Sequence, residues 1–431
     1  MSPEKPLPPD SGSVAVPKRG WQKTFDALSI RNYRWYWLGA LASYFGNYIQ
    51  MPAQAWLAYQ LTHSALKLGL VSAAQGVPTI LIALFSGVII DRMQKRSIII
   101  FSQAFILTNT LAVAILITTG LIQYWHLLIA SFLTGVNNAF NTPTRYAIVA
   151  ELVPRDKIYN AFALNNGGSN TARVVAPSLA GVLIALAGTQ SAYYCAAGFY
   201  VIATFTMAAL SATSKPVLTS GSSIISNLTE GLRYLQVNNI IIILLIMEFA
   251  LTLFGMPYQG LMPVFADILK VNSERYGFML SAIGIGAVIG SLTIASLGNF
   301  KRKGRLLLIM GTTFGIMLIL FANSVSIGKI LNLGQNAYYL ATAWLVFVGM
   351  ASTSYTLTSA TIIQMSVTDD FRGRITSVYT IILGLYPISI MIAGAMAQWL
   401  GGQTTLTLWG TGLTLFMLIT AFVSRRVRRL E

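Results

Sequence analysis

The stretch Gly87-Val-Ile-Ile-Asp-Arg-Met-Gln-Lys-Arg96 closes a long apolar run with one acid and three bases packed into a short turn. Residues 66–90 before it and 97–119 after it are each long enough to cross a bilayer, so the turn joins two membrane spans. Bases at the end of a span mark its cytoplasmic side.

Composition agrees with that reading. The chain has 431 residues, 55% of them hydrophobic and 10% charged, as expected where lipid-facing surfaces are apolar and backbone polar groups are satisfied inside helices. The formal net charge of +16 could suggest nucleic acid, but the bases sit beside spans, where they act as orientation signals and lipid head-group contacts. No nucleic-acid partner is expected. A single cysteine, Cys195, excludes a disulfide framework. The two histidines, His63 and His126, lie near span ends, so neither a metal centre nor a Ser/His/Asp catalytic set is expected. No phosphate-cradling loop of the Gly-x-x-x-x-Gly-Lys-Ser/Thr type is present. The chain reads as a non-enzyme with no cofactor, driven by an ion gradient or passive.

Working outward, residues 1–24 read as a disordered cytoplasmic tail with no signal-peptide core. Apolar runs of about 20 residues or more place spans near 35–60, 66–90, 97–119, 124–149, 158–187 and 191–213, a first six-helix bundle over 25–213. A polar linker over 214–239 contains Ile225, Leu228, Leu232 and Leu235 at helical spacing, which predicts a surface-lying amphipathic helix. A second bundle over 240–424 follows, with spans near 240–266, 275–298, 305–324, 336–365, 373–399 and 403–424, and then a basic cytoplasmic tail over 425–431. The expected fold is an all-α membrane protein of twelve transmembrane helices in two six-helix pseudo-repeats. Bases concentrate on one side of this layout, which puts both termini in the cytoplasm. Arg92 and Lys95 after the second span match Arg302 and Arg305 after the eighth, supporting a duplication.

The pattern Gly-x-x-x-Asp-Arg-x-x-Lys-Arg resembles the signature loop of the major facilitator superfamily, with Gln94 where that family usually has Gly. The resemblance implies twelve helices, alternating access and a substrate site between the halves. It also implies that Asp91, Arg92 and Arg96 latch one conformation by pairing with neighbouring helix ends. Asn141-Thr-Pro-Thr-Arg145, Glu151-Leu-Val-Pro-Arg-Asp156, Asn160-Ala-Phe-Ala-Leu-Asn165 and Ala176-Pro-Ser-Leu-Ala-Gly181 are similar to the branch containing enterobactin exporters and macrolide efflux pumps. That branch implies a proton-coupled exporter of siderophore-like or drug-like organic molecules, a multi-pass protein of the cell membrane. Its partners would be a small organic substrate, protons and membrane lipids, and it would work as a monomer. Pro177 and Gly181 match the exporter-type motif of the fifth span, either a hinge or ordinary helix packing. An importer of a small organic anion and a transport-inactive membrane receptor stay open as alternatives.

Ionisable groups inside a span call for a partner or a water-filled cavity. Glu248 lies roughly 13 Å past Asn239 at 1.5 Å per residue, near mid-bilayer, and is the candidate proton-coupling group, set against a mobile arginine. Arg173 continues a stripe of Asn166 and Asn170, and Arg145 ends a stripe of Asn137 and Asn141. The two arginines together would give the first half a positive cavity suited to an anionic or catechol-like ligand. Arg145, near the cytoplasmic end, is assigned to gating or to snorkelling toward head groups. Asn47, Gln50 and Gln54 of the first span, and Tyr379 and Tyr386 on one face of the eleventh, complete the expected substrate site. The hydroxyls from Ser352 to Ser359 are read as glue between helices.

Overall fold

The computed structural model describes residues 25–211, 239–298, 301–367, 369–428 and 430. The expected tail over 1–24 and the linker with its amphipathic helix lie outside the described residues, as does the side chain of Asp91.

The described residues form helices and no strands. In chain order they are α1 (Arg31–Thr62), α2 (Ala65–Arg92), α3 (Lys95–Thr118), α4 (Tyr124–Leu152), α5 (Ile158–Ala187) and α6 (Thr189–Ala208). After the linker come α7 (Asn239–Ala250), α8 (Met262–Ile268), α9 (Ser273–Leu297), α10 (Lys303–Ala322), α11 (Ser324–Ile330), α12 (Ala337–Ser366), α13 (Asp369–Gly384), α14 (Tyr386–Leu400), α15 (Gly402–Val423) and the turn-long α16 (Arg425–Arg428). Among the described residues, nine helical segments are long and apolar enough to cross a membrane. The other long helices, α1, α4 and α6, are diluted by amides, hydroxyls and tyrosines, which are the residues a protein-facing wall needs.

Helices α1 to α6 pack among themselves, and α7 to α15 do the same. The two groups meet through α5 against α9 and α2 against α14. Backbones touch along these seams: a Cβ on Gly181 would stand 2.5 Å from the Ser273 carbonyl oxygen, and one on Gly277 would stand 2.5 Å from that of Pro177. Only glycine permits such an approach. Hydrogen bonds join the groups where α1 turns into α2 and α14 into α15, here called the far end. Tyr59 donates to Asp267 (3.0 Å) and Ser64 to Gln398 (2.8 Å) there, and deeper in the α5/α9 seam the Ser178 hydroxyl donates to Ser281 (2.6 Å). The other end carries Arg92, Lys95, Arg96, Arg155, Lys157 and Arg305, and is here called the basic end.

Two expected spans are interrupted. The run from residue 240 leaves α-helix at Leu251, passes through a π turn (Leu251–Gly255) and a 3-10 turn (Met256–Gln259), and resumes as α8. Gly255, Pro257 and Pro263 account for the breaks, since proline lacks an amide donor and glycine is weak in helices. The eleventh span likewise stops at Gly384 and restarts at Tyr386, with Pro387 in the first turn of α14. The expected tail from 425 is partly ordered: α16 folds back so that Val427 is fully buried, and Gly304 N–H donates to Leu430 O at 3.2 Å. At the other terminus Asp26 pairs with Lys157 at 3.0 Å and Ala27 N–H donates to Asn160, docking the entry segment on the start of α5.

Candidate functional site

A cavity of about 560 Å³ lies between the two helix groups. Its polar wall comes from the first group. Helix α1 contributes Ser43, Asn47, Gln50 and Gln54 along one face, because a step of three or four residues keeps side chains on one side of a helix. Helix α4 adds Asn137, Asn141 and Arg145 by the same spacing, and α5 adds Asn165 and Asn166. The second group supplies a mostly apolar wall from the broken helices: Leu383, Tyr386, Pro387 and Ile390, with Gln259 as the polar exception. Tyr146, 63% exposed, and Thr142 stand at its rim toward the basic end, while the far end is closed by the seam contacts.

Several amides are already held. Gln50 accepts from Thr110 Oγ1 at 3.0 Å, and Gln54 donates to Ser131. Tyr386 donates to Gln259 at 3.2 Å. Asn47 and Asn166 are exposed to the cavity.

Of the two arginines expected to make the cavity positive, Arg145 lines it and Arg173 does not. Arg145 does not snorkel outward; its side chain turns to α1, where Nη2 donates to Ser43 at 2.6 Å and the guanidinium lies 5.3 Å from the centre of the Tyr44 ring. Its Nε donates to Asn141 at 2.7 Å, and Nη1 is buried with no partner. Arg173 is outside the cavity lining, with Nε donating to Tyr48 at 3.2 Å. Asn170 also falls outside the lining.

Glu248 forms a separate site in the second group. The carboxyl is fully buried, with Ser359 of α12 donating to Oε2 at 2.9 Å and Tyr379 of α13 to Oε1 at 3.4 Å. Its hydrogen-bond partners among the described residues are these two hydroxyls. Tyr379 therefore belongs with Glu248 and Tyr386 with the cavity: the break at Leu385 takes the two tyrosines off a common face. Tyr355 Oη and Thr252 Oγ1, also buried, have no hydrogen-bond partner among the described residues.

At the basic end, Arg96 donates to Ala208 O, the last carbonyl region of α6, at 2.7 Å, and Lys95 pairs with Glu151 at the end of α4. Arg92 is exposed. Gln94 adopts φ −65°, an ordinary conformation, so this tight turn does not need glycine there. Pro177 and Gly181 are buried in the α5/α9 seam within an unbroken helix. Gln75, Thr79, Asn165 and Gln259 are cavity residues that the sequence reading passed over; Gln75 and Thr79, four apart inside an apolar run, carried the signal.

A family model described as transmembrane secretion effector matches residues 22–431. The staphyloferrin A transporter of Staphylococcus aureus is 22% identical over 402 residues, covering 92% of this chain and 97% of that protein. Macrolide efflux protein A of Streptococcus pyogenes is 21% identical, with coverages of 92% and 96%. The enterobactin exporter EntS of Escherichia coli is 24% identical and covers 74% of each chain. Among solved structures, a point mutant of the nucleoside transporter NupG superposes with TM-score 0.75 at 11% identity, over 91% of this chain and 100% of that one. A bacterial homologue of the iron transporter ferroportin, in an inward-facing state, gives TM-score 0.65 at 15% identity, over 90% and 98%.

Proposed function

The chain belongs to the transmembrane secretion effector family of the major facilitator superfamily, and we propose that it is a secondary transporter exporting siderophore-like or drug-like organic molecules across the cell membrane in exchange for protons. The observation that carries this reading is the cavity: about 560 Å³ between two helix groups, closed toward the far end by hydrogen bonds, one of them to the Asp267 carboxyl, and by glycine contacts. A pocket of this size with apolar walls and placed polar groups suits an organic solute.

The reading extends to twelve helices in two pseudo-repeats, 25–213 and 240–424, joined by the linker at 214–239. The basic end faces the cytoplasm with both termini, as the distribution of lysine and arginine favours. Rocking of one group against the other about the α5/α9 and α2/α14 seams would open the far end. Lys95 and Arg96, tied to the ends of α4 and α6, keep the first group rigid in that motion, and the latch includes Asp91 and Arg92. The transporter works as a monomer among lipids.

Glu248 is the proton carrier in this scheme. Among the described residues it is the one fully buried acid, and its partners are hydroxyls. A hydroxyl donates to a carboxylate and accepts from a carboxylic acid, so the same site holds both protonation states. The test is uptake of a compound panel into inverted membrane vesicles, with and without a pH gradient, for the intact protein and Glu248→Gln. Gradient-driven uptake that the substitution abolishes supports proton-coupled export. Equal gradient-driven uptake by both removes Glu248 from the mechanism, and absence of any gradient effect removes proton coupling.

A further inference from the structure

Arg145 is a cation in a cavity whose lining contains no acid. Seven residues from the end of α4, it sits about 10 Å inside the helix at 1.5 Å per residue, too deep and too inward to be solvated by head groups. The groups that hold it, Asn141 Oδ1 and Ser43 Oγ, are neutral, and no carboxylate pairs with it among the described residues. One of its nitrogens, Nη1, is buried without any acceptor. A guanidinium placed this way lacks the planar, two-oxygen partner its geometry matches best, and an intramembrane charge left uncompensated is costly.

We infer that the missing partner is the cargo: the cavity takes an amphipathic solute bearing a carboxylate, held at Arg145, with its apolar face against Tyr386, Pro387 and Ile390 of α14. This rests on the exporter reading and names its substrate class. The ligand displaces the Ser43 and Asn141 contacts with a charge-assisted pair, and the amides of α1 and α4 satisfy its remaining oxygens. The second wall offers only ring and aliphatic surface beside Gln259, so the orientation is fixed. Arg173, with Nε donating to Tyr48, is not a lining residue, although its charge reaches Tyr386 on the opposite wall.

The test uses the full chain in proteoliposomes with three acid and methyl-ester pairs: fluorescein, rhodamine 110 (whose ester is rhodamine 123) and 2-naphthoic acid. Each acid and its ester are offered in competition. The expected result is preference for the acid by about tenfold or more, lost in Arg145→Gln and only partly kept in Arg145→Lys, which retains the charge without the two-pronged geometry. Esters carried as well as acids by the intact protein overturn the inference while leaving the exporter reading standing, whether or not the variants insert. An acid preference that survives in Arg145→Gln also overturns it. Transport of no compound in either form, by protein with intact helical content, overturns the exporter reading and this inference with it.

Discussion

Ser359 on α12 donates a 2.9 Å hydrogen bond to Oε2 of Glu248 on α7, so a single buried carboxyl ties together helices far apart in the chain. With Tyr379 on the other oxygen, the site spans three helices of the second group. Removing the serine hydroxyl leaves a carboxyl oxygen without its donor where water does not reach. Ser359→Ala is expected to cost about 1–3 kcal/mol, seen as a lower melting temperature of the purified protein. Glu248→Gln keeps an acceptor and should melt close to the intact protein while losing its transport response to pH. A variant that melts early and still answers the gradient would make the carboxyl a structural strut.

The hydroxyls of Ser178 and Ser281 stand 2.6 Å apart across the α5/α9 seam. In a Cys195→Ser background, Ser178→Cys with Ser281→Cys should oxidise to a disulfide, because the residues already meet within bonding reach of a cystine. Transport should stop on oxidation and return with reductant. A fully oxidised pair that transports normally would mean the seam stays shut throughout the cycle.

Gly277 faces the Pro177 carbonyl so closely that a methyl group must push α9 away from α5. Gly277→Val should open the far end, measured as labelling of a cysteine placed at Gln54 by a membrane-impermeant maleimide from outside. Labelling unchanged from the glycine parent would show that the seam repacks around the branched side chain.

Lys95 and Glu151 form an ion pair with side chains about one-fifth exposed. Partial exposure keeps its coupling to about 0.5–1 kcal/mol. Reversing either charge should lower stability and transport modestly, and reversing both should restore most of each. A double mutant no better than the singles would assign the two residues separate roles.

Much of the architecture was legible because bilayer physics writes it in long apolar runs and basic ends. Residues 97–119 and 158–187 fall almost as α3 and α5. The breaks at Leu251–Gln259 and at Leu385 were not read, since each lies inside a run that stays hydrophobic throughout. The pairs Gly255 with Pro257, and Gly384 with Pro387, were the available warning. Missing the second break put Tyr379 and Tyr386 on one face, a correct rule for a continuous helix applied across an interruption. The amides of α1 and α4 were found because polar residues recur there at helical spacing. For Arg145 and Arg173 depth along the helix is visible in sequence, whereas rotation about its axis toward Ser43 or toward Tyr48 is set by tertiary packing.

The seam at the far end is joined by hydroxyl, amide, carbonyl and glycine contacts, and Asp267 there meets a tyrosine instead of a cation. Mobile ions screen interactions between full charges far more than contacts of this kind. In the proposed orientation the outward face is therefore buffered against the salinity of its surroundings: a move from dilute to concentrated medium would leave the closed form nearly as stable as before, while the lysine and arginine ties at the basic end would sit in an interior whose ionic strength the cell controls.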